Sequence, residues 1–129
     1  MTYSVLVVDD EPNIVLSLEF LMTQMGLDVS IARDGEAALE EIARNTPDLV
    51  LLDVMLPKCD GFEVCRKIRA DPALDGVKVV MLTAKGREAE RTKGLEVGAD
   101  DYITKPFSTR DINERVRLYL KEKNATCPS

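Results

Sequence analysis

Apolar residues in this chain fall into two alternating patterns. Val5–Val8 and Leu49–Leu52 are continuous runs, and Val77–Leu82 is broken only by Lys78. Runs of this length fit strands buried on both faces. Asp28–Ala32 reads as a short strand and Tyr102–Thr104 as a brief one. Between them, apolar residues recur at helical spacing: Ile14, Leu18, Leu21, Met22 and Met25; then Ala38, Leu39 and Ile42; then Phe62, Val64, Cys65 and Ile68. A modest helix is expected over 88–97, with Leu95 its clearest apolar residue, and a last helix shows Ile112, Val116, Tyr119 and Leu120 on one face. Pro12 suits a first helical turn, Gly26 and Gly98 suit helix stops, and Asp34-Gly35, Asp60-Gly61 and Asp71-Pro72 suit turns.

Five strand-helix units in strict alternation predict an α/β fold: one five-stranded parallel sheet, doubly wound, with helices on both faces. Residues 1–129 then form a single domain with a core over about 4–120, and 121–129 are expected to fray.

Charge and composition narrow the chemistry. The chain carries 17 Lys plus Arg against 23 Asp plus Glu, a net charge of -6. That balance disfavours direct binding to nucleic acid or an anionic membrane. There is no histidine, and Cys59, Cys65 and Cys127 lack CxxC spacing. Zinc sites, a disulfide framework and Ser-His or Cys-His catalytic pairs are therefore not expected. The amino terminus has no basic region and Val5–Val8 is too short to span a membrane, so the plain reading is a reducing cytoplasm.

The informative residues stand at the strand ends. Right-handed crossovers bring all carboxyl ends of a parallel sheet to one edge, where open α/β sheets bind ligands. The first predicted strand ends in Asp9 and Asp10, the third in Asp53, the fourth in Thr83-Ala84 and the fifth in Lys105-Pro106. A lone acid after a strand is commonly a helix cap. Several converging carboxylates are different, because two unit charges ~4 Å apart at an effective dielectric of ~20 repel by about 4 kcal/mol. An oxygen-only site of this kind suits a hard cation such as Mg²⁺, which takes phosphate oxygens as further ligands. A lysine and a hydroxyl opposite the ion then fit phosphoryl transfer onto a carboxylate.

The set Asp9-Asp10, Asp53, Thr83-Ala84 and Lys105-Pro106 resembles the receiver domain of two-component response regulators, over roughly Ser4 to Leu120. The resemblance implies the flavodoxin-like strand order 2-1-3-4-5. It implies Asp53 as phosphoacceptor and Mg²⁺ held by Asp9, Asp10, Asp53 and the Met55 backbone carbonyl. Thr83 and Lys105 would contact the phosphoryl group, the Lys105-Pro106 peptide would be cis, and Tyr102 would change rotamer as Thr83 moves. The donor would be a sensor histidine kinase or phosphotransfer protein.

The stretch Gly94 to Phe107 resembles receivers of winged-helix transcription regulators in particular. That likeness implies a phosphorylation-dependent homodimer through Arg91 with Asp111, Asp100 or Asp101 with Arg115, and Glu96 with Arg117. The bland alternative is a solvated mixed-charge face. The resemblance also implies that Met55 and Lys85 stand at the positions flanking the water that attacks the acyl phosphate; neither supplies a carboxylate or amide, so slow self-dephosphorylation is expected. A phosphatase is the main enzymatic alternative, but Met55 stands where it would need a second acid. A flavin carrier of the same fold would meet Asp9-Asp10-Glu11 where its phosphate loop belongs, and a never-phosphorylated scaffold would not need the full set.

Overall fold

Helices and strands alternate as the apolar pattern predicts, and each strand's residues divide between two cores. The structure is a computed structural model that describes residues 3–54, 56, 60–84, 98–105 and 107–126. The elements are β1 (Ser4–Val8), α1 (Pro12–Gln24), β2 (Asp28–Ala32), α2 (Gly35–Arg44), β3 (Leu49–Asp53), α3 (Gly61–Ala70), a 3-10 turn (Pro72–Leu74), β4 (Lys78–Ala84), β5 (Asp101–Lys105) and α4 (Thr109–Thr126). All strand pairs are parallel, in the order β2-β1-β3-β4-β5. The helix expected over 88–97 lies outside the described residues.

Strand alternation sorts the buried side chains. Leu6, Val8, Val50, Leu52, Val79 and Met81 pack with Ala38 and Ile42 of α2 and with Val64, Cys65 and Ile68 of α3. Their neighbours Val5, Val7, Leu49, Leu51, Val80 and Leu82 pack on the other side with Leu18 and Met22 of α1 and Ile112 and Val116 of α4. β3 is buried along its whole length, which is why its sequence reads as a run rather than an alternation.

Several strand and helix details differ from the sequence reading. β3, β4 and β5 run on through Asp53, Ala84 and Lys105, so the polar strand-end residues belong to the sheet ladder. The apolar stripe of α1 is centred on Val15, Leu18, Leu21 and Met22, with Ile14 and Met25 only partly covered. And α4 continues to Thr126, where the sequence predicts a frayed tail from Lys121. Lys121, Glu122 and Lys123 favour helix, and no Gly or Pro interrupts the chain before Pro128.

Candidate functional site: an acidic pocket at the carboxyl edge of the sheet

Adjacent strands of the sheet deliver the pocket's residues to one edge. Asp9 follows β1, fixed by its N–H donating to the Ala32 carbonyl at 3.2 Å, and it is fully buried. Asp53 closes β3, in register with Leu82 of β4, and is 6% exposed. Asp10 is exposed beside them. One carboxylate oxygen from each of the three lies within 4.8 Å of the others. Lys105, the last residue of β5, reaches back over β4 to place its Nζ 2.9 Å from Asp9 Oδ2 and 3.4 Å from Asp53 Oδ1.

The charges do not balance: Lys105 pairs with Asp9 and Asp53, and the exposed Asp10 carboxylate adds a third negative charge beside them. Burial is the strongest influence on Lys105 and works against its charge. The hydrogen bond to Asp9 and the charges of Asp53 and Asp9 outweigh it and raise its pKa above the ordinary lysine value. Lys105 is therefore a fixed cation at neutral pH. The donor set that remains is oxygen only, which fits a hard divalent ion.

Capping does not account for these acids. The residue before α1 is Glu11, whose side chain makes no capping hydrogen bond, so neither Asp9 nor Asp10 is the N-cap that Pro12 suggests. Asp9 Oδ1 does accept the Glu11 N–H at 3.0 Å. Asp60, not Asp53, caps α3 by accepting the Glu63 N–H at 2.9 Å. Asp34 and Asp71 serve α2 and the 3-10 turn in the same way. The acids used as caps and the acids of the pocket are distinct sets.

The two sheet faces also divide the remaining site residues. Lys105 and Asp53 share the parity of Ile103, Leu82 and Leu51, toward α1 and α4. Thr83 is aligned with Thr104, and Tyr102 with Met81, which places both on the α2-α3 side. Thr83 is buried and Tyr102 is half-buried against that core. Below Asp53 the chain is tightly wound: the Gly61 N–H donates to the Val54 carbonyl at 3.0 Å, and a Cβ at Gly61 would land on the Asp53 backbone carbonyl oxygen.

The expected interface residues are partly used within the chain. Asp101 pairs with Arg115 and accepts from Tyr119 Oη at 3.0 Å. Asp100 pairs instead with Arg69 at 2.6 Å and accepts the Val79 N–H at 2.8 Å. An Asp100–Arg115 pair is therefore not what this chain forms on its own. Asp111 and Arg117 lie on α4, and Arg117 is exposed. Met55, Lys85, Arg91, Glu96 and Pro106, with Cys59 and Cys127, lie outside the described residues. Arg69 escapes the sequence reading because its partners are 29 and 31 residues away and no local pattern signals them. Leu16 and Phe20, 63% and 62% exposed on the outer side of α1, do have a signal: α1 has more apolar residues than one face can hold.

Comparison with known proteins agrees with this geometry. Residues 5–117 match the response regulator receiver domain. The chain is 47% identical, over all of its 129 residues, to the alkaline phosphatase synthesis transcriptional regulatory protein PhoP of Bacillus subtilis (strain 168), and covers 53% of that protein. It thus spans about half the length of this curated relative. A response regulator receiver domain protein from Methanospirillum hungatei JF-1 superposes with a TM-score of 0.89 at 30% identity, covering 98% of this chain and all of the other. The receiver domain of sensor histidine kinase PA1611 from Pseudomonas aeruginosa PAO1, solved with a magnesium ion in its active site cleft, gives a TM-score of 0.86 at 28% identity over 94% of this chain and 99% of that one.

Proposed function

The chain belongs to the family of response regulator receiver domains, the signalling switches of two-component systems, and from that premise we propose that Asp53 accepts a phosphoryl group. The observation that carries this reading is the convergence of Asp9, Asp10 and Asp53, with Lys105 paired to Asp9 and Asp53 and none of the three acids acting as a helix cap. In the transfer, the donor's bond to phosphorus breaks as a carboxylate oxygen of Asp53 bonds to it, giving an acyl phosphate. Lys105 moves its hydrogen bonds from the carboxylates to the phosphoryl oxygens, and Thr83 donates its hydroxyl to another. Mg²⁺ held by Asp9, Asp10 and Asp53, with the Met55 carbonyl, would neutralise the remaining negative charge.

The donor is a sensor histidine kinase or phosphotransfer protein of the cytoplasm. Leu16 and Phe20 offer it an apolar surface on α1, the helix that starts two residues after Asp10. Occupation of Asp53 draws Thr83 inward and biases Tyr102 on the same sheet face. The output is a homodimer through the surface that includes Asp111, Arg115, Arg117 and the exposed Leu118. Its Asp101–Arg115 contact would have to be exchanged from within one chain to between two. Regulation of transcription would follow through a further domain of the kind the longer relative's name implies. The acyl phosphate decays slowly, and Met55→Asn accelerates its loss.

The test is incubation with Mg²⁺ and a small acyl phosphate or beryllofluoride, read by mass and by sedimentation. A Mg²⁺-dependent adduct that Asp53→Asn abolishes is expected. No adduct in the wild-type chain would refute the phosphoacceptor reading. An adduct without a change in oligomeric state would refute the dimer alone.

A further inference from the structure

β5 buries few of its own side chains, although Asp101 at its start is tied to Arg115 and Tyr119 of α4. It is an edge strand, paired only with β4, and of its five residues only Ile103 is buried, against all five in β3. Yet it carries Lys105, whose ammonium stands 2.9 Å from Asp9 and 3.4 Å from Asp53. An edge strand with one ladder and one buried side chain needs another restraint to hold a charged tip at such distances.

A restraint of that kind, in addition to the contacts of Asp101 with α4, stands at the opposite end of the strand. Arg69, near the end of α3, donates from Nε to the Gly98 carbonyl at 2.7 Å, from Nη1 to the Val77 carbonyl at 2.9 Å and from Nη2 to the Asp100 carboxylate at 2.6 Å. The same carboxylate accepts the Val79 N–H at 2.8 Å, and the Asp100 N–H donates to the Val79 carbonyl at 2.8 Å. One planar guanidinium thus ties the residues before β5 to those that begin β4. Its donors form a rigid fork, so three acceptors fix a position and not merely a contact. Gly98 adapts to it: its φ is +94°, and a Cβ there would stand 2.7 Å from Arg69 Cγ.

We infer that Arg69 is a positioning residue for Lys105: by fixing β5 along β4 it holds the Lys105 ammonium between Asp9 and Asp53. The inference rests on the proposed roles of Asp53 and Lys105. It separates Lys105 from the acids, because Asp9, Asp10 and Asp53 follow or end β1 and β3, which the clamp does not touch.

The experiment measures Mg²⁺ affinity and the rate of Asp53 modification by a small acyl phosphate at saturating Mg²⁺. It compares wild type, Arg69→Gln, Lys105→Ala and the double variant. Arg69→Gln is expected to slow modification by about tenfold, as a misplaced positioning group does, while Mg²⁺ binds at least as tightly. In the Lys105→Ala background the substitution should have no further effect. A parallel loss of Mg²⁺ affinity, or the full effect persisting without Lys105, would overturn the inference. Should Arg69→Gln not fold, Arg69→Lys keeps the charge without the fork. It should show the same split, and a wild-type rate would overturn the claim. If wild type forms no adduct, the phosphoacceptor reading fails and amide exchange decides this one. Faster exchange at Ile103 and Lys105 in the variant, with β1 and β3 unchanged, supports the clamp; unchanged β5 exchange overturns it.

Discussion

Two ionic clusters stand at opposite ends of the same sheet, and they are built on opposite principles. At the carboxyl edge, Asp9 and Asp53 share one lysine, and Asp10 adds a third carboxylate beside them. At the other end, each acid has its own cation and further donors: Asp100 has Arg69 and the Val79 N–H, and Asp101 has Arg115, Tyr119 Oη and the Tyr102 N–H. The second arrangement satisfies its charges and so contributes to stability. The first leaves repulsion in place and so is ready for a cation and a phosphoryl group. Surplus like charge in a buried place marks function, and matched charge marks construction.

The contrast is broken most severely at the matched cluster. Asp100→Ala leaves Arg69 and the Val79 N–H without their shared acceptor, and should lower unfolding stability by about 2–4 kcal/mol in urea titrations. Gly61→Ala comes next. Its Cβ would collide with the Asp53 carbonyl, so a loss of about 1–3 kcal/mol is expected, together with weaker Mg²⁺ binding by calorimetry. Asp10→Asn should act in the opposite direction. Without divalent cation it should raise stability by less than about 1 kcal/mol, because it removes repulsion from an exposed position, and it should also weaken Mg²⁺ binding.

The smallest effect at neutral pH concerns two groups whose folded pKa is raised. Burial pushes the Cys65 thiol up to about 11; the Arg69 charge works against this to a smaller extent, and the Asp100 charge adds to it. Lys105 is raised as well, its acidic partners outweighing burial. A raised folded pKa gives stability that is present below the unfolded value and lost as pH rises through the folded one. Thermal melts should be unaffected by these groups below pH 8 and should fall from about pH 9 toward 11 as the unfolded chain loses the Cys65 proton that the folded one keeps, with Lys105 adding to the loss only above its ordinary value of about 10.4. Peptide-level alkylation at pH 8 should leave Cys65 unmodified until the protein unfolds.

Much of this is legible in the sequence because it depends on local pattern. The continuous run Leu49–Leu52 and the stripe Phe62, Val64, Cys65 and Ile68 give element type directly, and the strand order follows from the family resemblance. Asp53, Thr83 and Lys105 are recognisable because each stands at the end of a strand. What is not legible depends on contacts between distant residues. Arg69 reads as an ordinary surface arginine until Gly98 and Asp100 are brought beside it. The pairing of Asp101 with Arg115 inside one chain, rather than between two, is likewise a matter of packing. Pro12 at the first helical position already makes Glu11 the residue before α1, but that its side chain makes no capping hydrogen bond shows only in the fold.

The division of the sheet into two faces has a consequence for how such a chain can change in length. Asp53 and Lys105 stand on one parity and Thr83 and Tyr102 on the other. Deleting one residue inside β4 ahead of Thr83, or inside β5 ahead of Lys105, would turn that residue to the opposite face, away from the partners it stands beside. Single insertions and deletions are therefore confined to the connections. Within these strands the chain can be lengthened or shortened only two residues at a time, like a text read in pairs of letters.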